Sequence, residues 1–154
     1  MTPLRLSPSD NLAPVLALLR DSFATMDGRI DPPSSLTRMG VAELTAEATR
    51  AELWILPPDS APAACMLVTP RGDHLYLGKL AVAPARRGEG LARQMIGQAE
   101  TRALAHGLRE IRLQTRVELV ENHATFTRLG FVEVGRTAHP GFDRPTSVTF
   151  ARRL

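Results

Sequence analysis

The stretch Leu77-Gly78-Lys79-Leu80-Ala81-Val82-Ala83-Pro84-Ala85-Arg86-Arg87-Gly88-Glu89-Gly90-Leu91-Ala92 decides the reading of the chain. Its apolar first half is a strand and Pro84 stops it. The glycines at 88 and 90 then lead into residues with helical periodicity. A strand that passes through a glycine turn into a helix makes an anion site. The first helical turn carries backbone N–H groups without partners and a partial positive charge, so a phosphate placed there is hydrogen-bonded and electrostatically favoured. Gly88 and Gly90 let the backbone approach the anion closely, and Arg86 and Arg87 add charge at the rim. Two other phosphate loops fit less well. A dinucleotide fingerprint needs a third glycine where Arg93 stands, and an acidic residue closing the next strand, whereas Glu110 opens it. A Walker loop needs Gly-Lys-Ser or Gly-Lys-Thr, which the sequence lacks. On its own, the glycine pair is equally a helix-start turn with no ligand.

Downstream of this loop, Leu91, Ala92, Met95, Ile96, Ala99, Ala103 and Leu104 form one apolar face of a helix from Gly90 to His106, with Gly107 as its left-handed terminator. Glu110 to Val117 follows as a strand with Ile111, Leu113 and Thr115 on one side. A short helix through Phe126 to Leu129 ends at Gly130, and Phe131 to Arg136 and Ser147 to Ala151 close the chain as strands. Upstream, Leu4 to Leu6 is a short strand. Leu12, Val15, Leu16, Leu19 and Phe23 make a first helix behind the capping candidates Ser9 and Asp10, with Pro14 in its first turn. Leu36 to Arg50 reads as a second helical segment weakened by Gly40. Leu53 to Leu56, Ala63 to Thr69 and His74 to Val82 read as an antiparallel meander. The pattern predicts one α/β (α+β) domain over residues 1–154, with a mixed, mostly antiparallel central sheet flanked by helices.

Composition narrows the classes. With 154 residues, a domain of this size buries roughly 70% of the surface of its unfolded chain, enough for one ordinary core. Hydrophobic residues make up 44% and charged residues 23%, which excludes disorder, and no apolar run nears the roughly 20 residues of a membrane span. The amino terminus lacks the pattern of a secretion signal, so a cytoplasmic protein is expected. Cys65 is the single cysteine and lies in an apolar run, which reads as a core residue and excludes an internal disulfide or a multi-cysteine metal cluster; no metal is expected. The net charge of +3 permits a polyanionic partner, but the arginines are scattered and Lys79 is the only lysine. The distribution favours a small phosphorylated ligand over nucleic acid.

At this point the residues resemble the GCN5-related N-acetyltransferase (GNAT) superfamily, whose acetyl-CoA motif is Arg or Gln, two residues, Gly, one residue, then Gly or Ala. Arg87-Gly88-Glu89-Gly90-Leu91-Ala92 is similar at every fixed position. Leu80-Ala81-Val82-Ala83-Pro84 looks like the family's fourth strand and its exit, and Leu129-Gly130-Phe131 looks like its closing turn. The resemblance covers the chain in element order and is specific over about Leu77 to Phe131. It implies that backbone groups of Leu80 and Val82, flanking Ala81, pair with the pantetheine arm, and that N–H groups from Arg87 to Ala92 hold the pyrophosphate. It further implies direct attack of an amine on the acetyl carbonyl, between two splayed strands, with Glu110 to Val117 as the second wall.

The sequence departs from the family where a tyrosine commonly protonates the departing thiolate, because that position is Phe126. The common asparagine position is Leu119, and Asn122 is the candidate replacement as a CoA ligand, or else a helix cap. Lys79 and Gln114 stand where a glutamate base is common, so the catalytic residues are left unassigned; Tyr76, His74 and His139 are the nearest substitutes. On the acceptor side the loop Met26 to Ser35 joins the first two helices. Its Asp27 and Asp31 are expected to hold a cationic amine, with Arg29 beside them. The turn His139 to Pro145 faces the same region, and both loops are equally readable as turn chemistry. The expected partners are acetyl-CoA and an amine acceptor of small-molecule or peptide kind, with a homodimer left open. Two rival readings stand beside this one: a non-catalytic acyl-CoA sensor, and acetylation of an aminoacyl amine carried on RNA.

Overall fold

The computed structural model describes residues 1–154. Strands β2 (Glu52–Leu56), β3 (Ala64–Arg71) and β4 (His74–Val82) form the expected antiparallel meander, and β1 (Leu4–Leu6) pairs antiparallel with β2 at its edge. After β4 the chain forms helix α3 (Leu91–Ala105) and returns as β5 (Glu110–Arg116), parallel to β4. The last two strands, β6 (Val132–Thr137) and β7 (Ser147–Arg153), complete a seven-stranded sheet of order β1-β2-β3-β4-β5-β7-β6. Helices α1 (Ala13–Phe23), α2 (Val41–Arg50) and α4 (Val120–Arg128) make up the rest. The result is the mixed, mostly antiparallel sheet flanked by helices that the sequence predicts.

Apolar residues on both sheet faces explain the layering. One core joins Met66, Val68, Leu75 and Ile111 of the sheet to Met95 and Ala99 of α3. The other joins Leu53, Ile55 and Leu67 to Val15 and Leu19 of α1 and Leu44 of α2. Cys65 belongs to this second core, and burial pushes its thiol up to about 12, far from the thiolate a nucleophile needs.

Three local expectations are corrected. Ser9 and Asp10 do not cap α1: Asp10 Oδ2 accepts from the Ser7 N–H, and Asn11 Oδ1 accepts from the Ala13 N–H where the helix begins. The segment from Leu36 to Arg50 is not one helix. Ser35–Arg38 is a separate 3-10 turn, Gly40 is extended, and the Glu43 carboxylate accepts its N–H at 2.9 Å, so α2 starts afresh at Val41. Leu104 lies off the apolar stripe of α3 and is half exposed, because the buried positions run Leu91, Met95, Ile96, Ala99 and Ala103.

Two features position the site. β4 and β5 pair only at Leu75↔Ile111 and Tyr76↔Arg112, and beyond that point they part. β4 also carries a bulge. Cys65 faces Ala81 and Leu67 faces Gly78, so β4 holds one residue too many, and Lys79 absorbs it at φ 50°. The extra residue flips the alternation. Leu75 and Leu77 point to the α3 core before it, while Leu80 and Val82 do so after it and Ala81 turns to the α1 core.

A clamp fixes α3 to the sheet. Glu52 of β2 accepts from Arg102 Nε at 2.7 Å, from Arg102 Nη2 at 3.0 Å and from Trp54 Nε1 at 2.9 Å, and meets His106 Nε2 at 2.7 Å. Burial alone would raise the Glu52 carboxyl, but the Arg102, His106 and Trp54 hydrogen bonds outweigh it and hold the group at about 2.

Candidate functional site

The start of α3 has the geometry of an anion cradle. Gly88 and Gly90 take φ of +85° and +77°, conformations that L side chains rarely adopt, and a Cβ at either would project into open space. With Gly90 as the residue before the helix, no side chain caps the first turn and no acidic residue lies in it. Its N–H groups therefore face a groove of about 750 Å³. Arg29, Arg86, Arg87, Arg93 and Arg128 border that groove against a single carboxylate, Glu121. Arg29 is paired with Glu121 at 2.7 Å and Arg86 with Glu89 at 2.9 Å. Arg87 Nη2 donates to Ser22 O at 3.3 Å, which ties the cradle to α1, and Arg87, Arg93 and Arg128 have no carboxylate partner. The arrangement suits a ligand with several phosphates.

Of the residues the sequence assigns to the cofactor, Leu80, Ala81, Val82, Arg87, Gly88, Gly90, Leu91, Ala92, Asn122 and Phe126 border this groove. Glu89 does not, its carboxylate being turned to Arg86. The Val82 carbonyl already accepts from the Ser22 hydroxyl at 3.0 Å. Asn122 is not a helix cap: Leu119 holds that position, and Asn122 Nδ2 donates to Thr115 Oγ1 at 3.3 Å, linking α4 to β5.

A second cavity of about 280 Å³ opens where β4 and β5 part. It shares Phe23, Met26, Leu80, Leu119, Asn122 and Phe126 with the groove, so the two spaces meet there. Phe126 packs edge-on against Phe131 and tilted against Phe150, which fixes its ring at the junction. The titratable or charged side chains in the wall are Tyr76, Lys79, Arg116 and His139. Burial pushes the Tyr76 phenol up, so it keeps its proton. Lys79 is held by Glu47 at 3.1 Å. His139 rests on Thr146, whose hydroxyl accepts the His139 backbone N–H at 2.8 Å, contacts Nδ1 and lies 3.4 Å from Thr137 O. Nδ1 and the Thr146 hydroxyl share one hydrogen bond whose direction follows the tautomer, and Nε2 has no hydrogen-bond partner in the protein.

The sequence of residues 16–131 matches the family model of the acetyltransferase (GNAT) family. The chain belongs to the GNAT acetyltransferase family. Its fold is shared by the PaiA N-acetyltransferase of Thermoplasma acidophilum in complex with coenzyme A, at 16% identity, TM-score 0.76 and full coverage of both chains (100% each). An acetyltransferase from Streptococcus agalactiae is similar at 16% identity and TM-score 0.75, over 99% of this chain and 98% of that one. A GNAT acetyltransferase from Elizabethkingia anophelis with acetyl-CoA bound is similar at 13% identity and TM-score 0.70, over 99% of this chain and 97% of that one. No protein of curated function matches the sequence.

In this GNAT acetyltransferase the remaining candidates divide. Tyr76 and His139 reach the smaller cavity, whereas His74 sits at the closed β3–β4 turn, 2.9 Å from Asp73, and lines neither space. Asp27 and Asp31 line neither space either. Asp31 is engaged by Arg144 at 2.8 Å and by Glu118, which accepts its N–H at 3.1 Å. With Arg116 donating to Pro32 O at 2.6 Å and Pro33 O at 3.4 Å, these contacts staple the loop over the cavity. The loop therefore offers Met26, Ile30, Ser34 and Ser35 to the wall, and Asp31 serves as a fastener through Arg144. Sequence reasoning missed Arg116 and Thr146. For Arg116 a signal existed, since it alternates away from the buried Ile111, Leu113 and Thr115.

Proposed function

We propose that this chain is a cytoplasmic N-acetyltransferase that carries acetyl-CoA along the larger groove and acetylates an amine held in the smaller cavity. The observation that carries the reading is the junction of the two spaces where β4 and β5 part. A cradle with three unpaired arginines lies on one side and a histidine with a free ring nitrogen on the other. The groove residues fit the cofactor: glycine positions leave room for phosphate oxygens, and the unpaired β4 edge beyond Tyr76 leaves backbone groups for the pantetheine amides.

In the reaction, the amine nitrogen forms a bond to the acetyl carbon while the carbon–sulfur bond to CoA breaks. The proton that the amine sheds goes to Nε2 of His139, the one imidazole in a wall that holds no carboxylate. Thr146 receives Nδ1–H and so supports the imidazolium formed in that step. With Phe126 in place of a hydroxylic acid, the departing thiolate takes its proton from solvent.

The test is calorimetric titration with acetyl-CoA, followed by an amine panel scored by CoA thiol release and by the mass of the acetylated product. Saturable binding with an acetylated amine supports the proposal. Binding without any product in a broad panel supports a non-catalytic acyl-CoA sensor instead, and no binding by the folded protein overturns both.

A further inference from the structure

We infer that the acceptor is a small α-amino acid with an apolar side chain, its carboxylate held by Arg116; the inference rests on the acetyl-transfer reading of the smaller cavity. Charge gives the first argument. The chain has 16 Asp and Glu residues, yet none lines this cavity. A polyamine or an aminoglycoside would bring extra ammonium groups to a wall with no carboxylate and two cations. Of those cations Lys79 is neutralised by Glu47, and Arg116 makes no salt bridge. Two of the five guanidinium N–H groups serve the Pro32 and Pro33 carbonyls, and the other three are left for a ligand. Burial depresses the Arg116 pKa, and the Glu118 and Asp31 carboxylates oppose this through space without a hydrogen bond to the guanidinium. A carboxylate from the ligand completes that site.

Register gives the second argument. Arg116 pairs with Ser147, Ser147 pairs with Thr137, and His139 lies two residues beyond Thr137. The cation and the imidazole thus stand at one end of the β5-β7-β6 ladder. An α-amino acid carries its amine and carboxylate on the same carbon, so one small molecule spans both. The side chain then has Phe23, Met26, Ile30 and Leu36 to pack against, which favours an apolar group.

The experiment compares L-leucine and L-methionine with their carboxamides and with 1,4-diaminobutane, at saturating acetyl-CoA, by thiol release and product mass. Binding of the same amines to the CoA-loaded protein is measured by calorimetry. Wild type should prefer the acids over the amides by about tenfold or more in kcat/KM. In Arg116→Gln that preference should collapse to within about twofold, while acetyl-CoA affinity holds. If Arg116 is only a loop fastener, acids and amides fall together and the ratio keeps its wild-type value, which overturns the inference. Equal or better use of the amides or the diamine overturns it, as does acetyl-CoA binding with no amino acid bound. Failure of acetyl-CoA itself to bind overturns the reading of the site and this inference with it.

Discussion

Gly90→Ala and Gly107→Ala impose the same backbone strain at the two ends of α3 and differ only in what lies beside them. Gly90 has φ +77° and Gly107 has φ +74°, and in both cases an added Cβ meets no atom within 4 Å. An L residue in this left-handed region costs about 1–2 kcal/mol, so each variant should lose that much stability in urea denaturation, with unchanged m. Binding separates them. At residue 90 the methyl group stands in front of N–H groups that face the groove, and it should deprive a phosphate of one charge-assisted hydrogen bond. Such a bond is worth about 1.5–3 kcal/mol, a loss of about tenfold to a hundredfold in affinity. Residue 107 lies at the far end of the helix and outside the groove, so its variant should bind as wild type does. Titration calorimetry with acetyl-CoA at one fixed salt concentration reads both affinities. The cradle argument is refuted if Gly90→Ala binds within about threefold of wild type, or if Gly107→Ala loses as much.

His139→Asn keeps a donor for Thr146 but removes Nε2; kcat should fall about a hundredfold in steady-state assays, and an unchanged kcat would remove His139 from the reaction. Phe126→Tyr restores a hydroxyl at the junction of the two cavities and should raise kcat about tenfold in steady-state assays, an unchanged or lower kcat counting against a missing acid. For Glu52, whose carboxyl falls from 4.5 to about 2, the full shift corresponds to about 3 kcal/mol. Solvent at Arg102 and His106, 26% and 33% exposed, reduces it to about 2 kcal/mol. Because the folded pKa is depressed, that stability is present above pH 4.5 and is lost as pH falls towards 2. Glu52→Gln should therefore be less stable near neutrality and show a flatter decline in acid, measured by denaturant unfolding across pH.

The sequence by itself determined the element order, the meander and the glycine turn that opens α3, because each depends on residues close together in the chain. Glycine φ preferences, the strand-stopping Pro84 and the free N–H groups of one helical turn all act within Val82 to Ala92, so their geometry is written locally. Errors arose where a neighbour competed. Gly40 took an extended conformation and a side-chain cap from Glu43, which split a segment with continuous helical composition. The bulge at Lys79 was invisible because one extra residue changes pairing parity without changing the apolar composition of β4. The smaller cavity was decided by tertiary structure alone. Its wall draws on α1, the following loop, β4, β5, α4 and the β6–β7 turn, and its fasteners join residues as distant as Arg116 and Pro32, 84 positions apart. Asp31 read as a substrate ligand in sequence, and packing turned it into a loop anchor. Arg116 read as one scattered arginine, and the fold left it on a cavity wall with no carboxylate in direct contact. Long-range pairing sets which charges are consumed internally, and only the charges left over are available to a ligand.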